Sequence, residues 1–208
     1  MELPVPLPGV PAISLLPIGG RDAARFCLAE LAGRLTELSA QGASATATLA
    51  MRLVHEAQLA GEPAAWITPR GRCFYPPDAV ANGIDLAALA IVRLPDAEAA
   101  GKACDYLVRT GAFGVVVLDL GEGARLPDRQ LTRLLGLAQK HETAIVCLSA
   151  KSAQQPSLGA LVSLRGPVQR SRTTGPTPFV CELVAAKDKR RSPGWRHGLP
   201  CLGPDGLR

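Results

Sequence analysis

Histidine clusters, paired cysteines, a basic leader and long uncharged apolar runs are all missing from this sequence, and each absence removes a class of function. There are three histidines: His55 falls on an expected helix, His141 ends another, and His197 sits in the C-terminal segment. None has a serine–aspartate or cysteine set around it, so general-base and nucleophilic catalysis lack candidates, and each reads as an ordinary surface residue. The six cysteines, Cys27, Cys73, Cys104, Cys147, Cys181 and Cys201, are scattered singly, with no C-x-x-C pair or histidine at metal spacing. They read as reduced, mostly buried thiols. The first twenty residues carry no Lys or Arg before their apolar stretch, and Pro4, Pro6, Pro8 and Pro11 interrupt it, against a signal peptide or membrane helix. No other uncharged apolar run reaches the roughly eighteen residues of a bilayer span. A soluble, cytoplasmic protein without membrane contact is expected.

What the sequence does contain is a core. With 208 residues, 47% of them hydrophobic, it can bury one sizeable interior, and a single domain with loose ends is expected. The net charge of +5 is unevenly placed: residues 161–208 hold nine Lys/Arg against three Asp/Glu, and the rest of the chain is close to balanced.

Along the chain, a proline-rich arm (1–20) precedes residues 21–38, where Phe26, Leu28, Leu31 and Leu35 suit a short helix feeding a strand. TLAMRLVHEAQLA from Thr48 has helical spacing and stops at Gly61 and Pro63. AAWIT (64–68) is a strand, PDAVANGI a helical turn, and LAALAIVRL another strand. DAEAAGKACDYLVRTG (96–111) is a helix with Asp96 as N-cap and Gly111 as stop. FGVVVLDL (113–120) is an unbroken β-branched run of the kind covered by helices on both faces. PDRQLTRLLGLAQKHE (127–142) is a further helix and TAIVCLSA a buried strand. LGALVSLRGPV and PFVCELVAAKD supply two more strands, and residues 191–208 read as a basic, Pro/Gly-rich tail. The alternation gives a wound, mostly parallel α/β sheet over residues 21–190, flanked by helices on both faces.

In nucleotide-binding sheets of this class, a strand, a glycine loop and a helix present N–H groups to phosphates, a lysine reaches the terminal phosphates, and a Ser/Thr holds magnesium. The matching stretch is ELSAQGASATATL (37–49), which resembles the Walker A region of RecA in its Glu-plus-apolar strand end and its Thr-Leu helix opening. On that resemblance Ala40 and Ala45 stand in the places of two glycines, Thr46 in that of the lysine, and Ala47 in that of the magnesium ligand. Gly42 keeps some backbone freedom, and Thr48 is a hydroxyl one position late. Without a cation or metal ligand, charge developing on a transferred phosphoryl group has no stabiliser, so ATP hydrolysis is expected to be absent or negligible, with no cofactor. WITPRG places Arg70 where RecA-like ATPases carry a water-activating glutamate, a role a cation cannot fill. FGVVVLDL resembles Walker B, with Asp119 at the metal-supporting aspartate.

LTELSAQGASATATLAMRLVHEAQLAGEPAAWITP and NGIDLAALAIVRLPDAEAAGKACDYLVRTGAFGVVVLDL together resemble the ImuA family, RecA-like accessory proteins of the bacterial damage-induced mutasome, over residues 34–195. The resemblance implies a non-catalytic role in translesion synthesis and SOS mutagenesis. Its implied partners are RecA, the polymerase-like ImuB and an error-prone replicative-type polymerase subunit. The regions after Leu120 and Ala150, where RecA carries DNA-binding loops, are short here, against filament formation on DNA.

Two further readings come from the basic C-terminal third. Arg165, Arg170, Arg172, Lys187, Lys189, Arg190 and Arg191 are candidates for phosphate neutralisation in a DNA-binding module or for a solvated face. Trp195 suits stacking on a base or a partner, or a satellite core contact. The N-terminal arm suits an extended strand along a partner's sheet edge or packing on its own domain. A SulA-like division inhibitor acting on FtsZ is the remaining alternative, since that group also has a RecA-like frame without a working phosphate loop.

Overall fold

The computed structural model describes residues 26–41, 45–71, 74–123, 125–174 and 178–201; the proline-rich arm lies outside them. In chain order the elements are α1 (Leu28–Leu31), β1 (Leu35–Ser39), α2 (Thr46–Leu59), β2 (Ala64–Pro69), α3 (Pro76–Ala81), β3 (Leu89–Leu94), α4 (Ala97–Arg109), β4 (Val115–Gly121), α5 (Asp128–His141), β5 (Ala144–Ser149), β6 (Leu164–Arg172), β7 (Phe179–Val184), β8 (Lys187–Asp188) and β9 (Arg196–Cys201), with a 3-10 turn at Leu86–Ala88.

The strands form one sheet in the order β3-β2-β4-β5-β1-β6-β7-β9, and β8 pairs with β6. Neighbours from β3 through β6 are parallel, while the β6–β7, β6–β8 and β7–β9 pairings are antiparallel. The expected mostly parallel α/β sheet with helices on both faces is what forms. Strands β1, β2, β4 and β5 are buried end to end, the physical reason for their unbroken apolar runs. Because successive strand side chains alternate in direction, Val115 and Val117 pack in one layer with Leu49, Leu53 and Val54 of α2. Val116 and Leu118 pack in the other with Cys104 and Val108 of α4 and Leu131 and Leu134 of α5.

Local signals set the helix ends. The Asp96 carboxylate accepts the Ala99 N–H at 2.8 Å, a cap worth about 1 kcal/mol. Gly61 at φ +75° turns the chain out of α2 before Pro63, where any side chain would be strained.

Three expectations need correction. The apolar run from Leu158 is not a strand until Leu164. Leu158 and Leu161 instead cap the α4–α5 layer, and the Leu158 N–H is drawn to the Glu37 carboxylate at 2.9 Å. The segment after Arg190 is not a tail. Its Pro193-Gly194 pair makes a turn, in which Gly194 N–H donates to Ala185 O at 2.8 Å and Ala185 N–H to Trp195 O at 2.9 Å. The chain then continues as β9, paired along the whole of β7, so the domain runs to Cys201. The three histidines are half-buried rather than superficial, and His197 packs its ring 5.3 Å from that of Phe26.

Candidate functional site at the carboxyl edge of the sheet

Parallel strands deliver their carboxyl ends to one edge, the place where open α/β sheets hold ligands. At that edge β1 ends and Ala40 continues the ladder, its N–H donating to Ser149 O at 3.1 Å. Gln41 is exposed, and Gly42 lies outside the described residues. Ala45 is buried and stands as N-cap of α2 without a side-chain cap. A helix start offers N–H groups to an anion, but the first turn of α2 adds no cation: the Thr46 side chain is buried, and Ala47 presents a methyl group to solvent. Thr48 follows, half-buried.

Asp119 lies on β4 in the same transverse row as Leu148 and Leu38, 5% exposed. The structure thus places Asp119 one row short of the end of β1. Beside it, Pro69, Arg70, Gly71, Leu120 and Glu122 line an open cleft of about 370 Å³. Arg70, exposed at the end of β2, is held by its N–H to Leu94 O at 2.7 Å.

The best-built polar cluster at this edge centres on a residue that sequence reasoning passed over as a strand marker. Glu37, fully buried in β1, accepts the Ser149 hydroxyl at 2.8 Å and the Leu158 N–H at 2.9 Å. Lys151 and Arg165 stand 3.7 and 3.8 Å from its oxygens. Arg165 also donates to Gln155 O at 2.5 Å and Ser152 O at 2.9 Å. A buried carboxylate of this kind requires partners, and these partners fasten the 151–158 segment over the edge. The one signal in the sequence was a lone acid inside an apolar strand.

Over this frame the chain is similar to RecA proteins. It is 29% identical to RecA of Clostridium novyi over 174 residues, covering 84% of this chain and 44% of that protein. It is 34% identical to RecA of Rubrobacter xylanophilus over 142 residues, 68% of this chain and 38% of that protein. With RecA of Heliobacterium modesticaldum it shares 32% over 141 residues, 68% and 37% respectively. The chain is a distant relative of RecA. It spans less than half the length of these RecA relatives. No family model matches it.

The basic residues of this RecA-like chain do not gather into one patch. Arg165 is 7% exposed and Trp195 6%, and the Trp195 indole donates to Asp188 at 3.0 Å, so both are interior and Trp195 takes the core-contact role. Lys187 donates to Ala160 O at 3.1 Å; burial first, then the charges of Lys189 and Arg165, push its ammonium below its usual value. Arg190 donates to Glu30 O and Ala32 O at 3.2 and 3.0 Å, and Arg191 pairs with Glu30 at 2.7 Å. These two and exposed Lys189 therefore sit at the amino edge of the sheet, beside the entry to β1. Arg170 and Arg172 are at the opposite edge, since β6 passes the end of β1 at the Ser39–Pro167 pair; both are exposed and stack on Phe179, at 5.1 and 5.6 Å. Among the described residues, no group of His, Cys, Asp and Glu is placed to hold a metal, and no helix is long and apolar enough to cross a membrane.

Proposed function

We propose that this chain is an ImuA-type accessory protein: a RecA-like frame retained as a binding platform in damage-induced translesion synthesis and SOS mutagenesis, without ATP hydrolysis. One observation carries the reading. At the strand end and helix start where phosphoryl transfer needs a cation and a metal ligand, the chain offers Ala40, Ala45, a buried Thr46, the methyl of Ala47 and the hydroxyl of Thr48 one position late. Arg70 stands where a water-activating base belongs. Kinship to RecA supports a role in DNA repair and recombination, and the proposed partners are RecA, ImuB and the polymerase subunit of that assembly.

Direct DNA binding is the weaker reading, because the candidate cations divide between two edges and several are consumed in internal bonds. The test is co-purification. Purified chain passed over immobilised RecA and immobilised ImuB is expected to be retained by both, with and without ATP. Passage through both columns unretained would refute the proposal.

A further inference from the structure

Two thiols meet where β7 and β9 pair. Cys181 stands opposite Leu199 and Cys201 opposite Phe179, so the two cysteines are diagonal neighbours whose side chains leave the same face of the sheet. Their sulfurs are 3.1 Å apart. Cys181 is sealed in the core, whereas Cys201 is only half-buried. This asymmetry suits a pair in which one thiol meets the reagent and the other resolves the product.

The chemistry of the pair separates it from the other buried thiols. Burial pushes the Cys104 and Cys147 thiols up, which keeps them protonated and inert. Cys201 moves the other way. The hydrogen bond shared with Cys181, opposed by burial and helped by the guanidinium of Arg170, holds it down at about 7. Arg170 is itself fixed in place by stacking on Phe179 at 5.1 Å. The thiolate is the attacking species in thiol oxidation.

We propose that Cys181 and Cys201 are a redox dithiol that a hydroperoxide converts to an intramolecular disulfide joining β7 to β9. The Cys201 thiolate attacks the hydroperoxide: an S–O bond forms, the O–O bond breaks, and the departing oxygen takes a proton to leave as alcohol, or as water when the oxidant is hydrogen peroxide. Cys181 then attacks the sulfenic sulfur. The S–S bond forms, the S–O bond breaks, and the oxygen departs as water with the Cys181 proton. The two thiols together give up two electrons and two protons, and the hydroperoxide is the species reduced. This inference goes beyond the accessory role and does not depend on it.

The experiment treats the folded, full-length protein with hydrogen peroxide at neutral pH, blocks the remaining thiols by alkylation and maps the tryptic peptides. Cleavage after Lys and Arg puts the two cysteines on separate peptides, 173–187 and 197–208. The expected product is those peptides joined, lighter by two hydrogens and separated again by dithiothreitol, while Cys104 and Cys147 remain alkylatable once the protein is denatured. C181S is expected to leave a Cys201 sulfenic acid that dimedone captures, and C201S to leave Cys181 reduced. Recovery of both wild-type peptides singly alkylated after peroxide would overturn the proposal, as would a crosslink that joins two chains rather than one.

Discussion

Asp188→Asn is the substitution that most severely tests how this fold is held at its amino edge. The Asp188 carboxylate receives the Arg34 guanidinium at 2.6 Å, the Arg190 N–H at 3.0 Å and the Trp195 indole N–H at 3.0 Å. The Arg34 and Asp188 side chains are 2% and 1% exposed. Removing one charge of a buried pair leaves the other uncompensated, which costs about 3–5 kcal/mol. The amide also sets an N–H against either the indole or the guanidinium, both donors. At about 2–4 °C per kcal/mol for a chain of this size, the melting temperature falls by roughly 6–20 °C. Urea unfolding followed by far-UV circular dichroism reads the same loss as a lower midpoint at unchanged slope. There is a pH signature too. Burial raises the Asp188 carboxyl, but the Arg190 N–H, Arg34 and Trp195 together hold it below its usual value. Its contribution is therefore fully present above the unfolded pKa of about 3.9 and is lost as pH falls through the folded value. D188N must lack that acid-side decline. A variant that melts with the wild type and keeps the same acid limb would refute the reasoning.

Three smaller predictions can be checked by the same unfolding curves. A Cβ at Gly166 meets the Leu183 side chain at 2.6 Å in the core, so G166A destabilises by about 1–3 kcal/mol, whereas Gly136 in α5 faces open space and G136A stabilises by up to about 1 kcal/mol. Arg165→Met removes the bonds to Ser152 and Gln155 and leaves Glu37 with Lys151 as its remaining cation; the 151–158 segment then exchanges its amide hydrogens faster, and the chain loses about 1–3 kcal/mol. Oxidation of the Cys181–Cys201 pair closes a loop of 20 residues and raises stability by about 3 kcal/mol.

Sequence legibility followed the range of the forces involved. The helix α4, with Asp96 and Gly111 at its ends, and the strand β4 are local patterns, and each was legible from periodicity and caps. The strand β9 was not, because Pro193 and Gly194 mark a turn and a tail equally well; only the pairing of 179–184 with 196–201 distinguishes them. The Glu37 cluster was hidden for a similar reason. Its bonds to Ser149 and Leu158 span 112 and 121 residues, a separation no local window covers. Arg165 was misjudged as a surface candidate, and the core and surface readings of Trp195 stayed open, because a basic or aromatic residue carries no sign of burial until its partner, Glu37 or Asp188, is placed beside it. The absence of any lysine between Glu37 and Leu49, by contrast, is a property of the sequence itself and needs no partner to be seen.

On the proposed function this RecA-like frame does not hold the triphosphate, and nucleotide-dependent thermal shift tests that most directly. With ATP and magnesium raised in steps, the account predicts an unchanged melting temperature and no phosphate release. A melting temperature that climbs with ATP toward the roughly 2.7 kcal/mol expected at a hundredfold excess over Kd would contradict it.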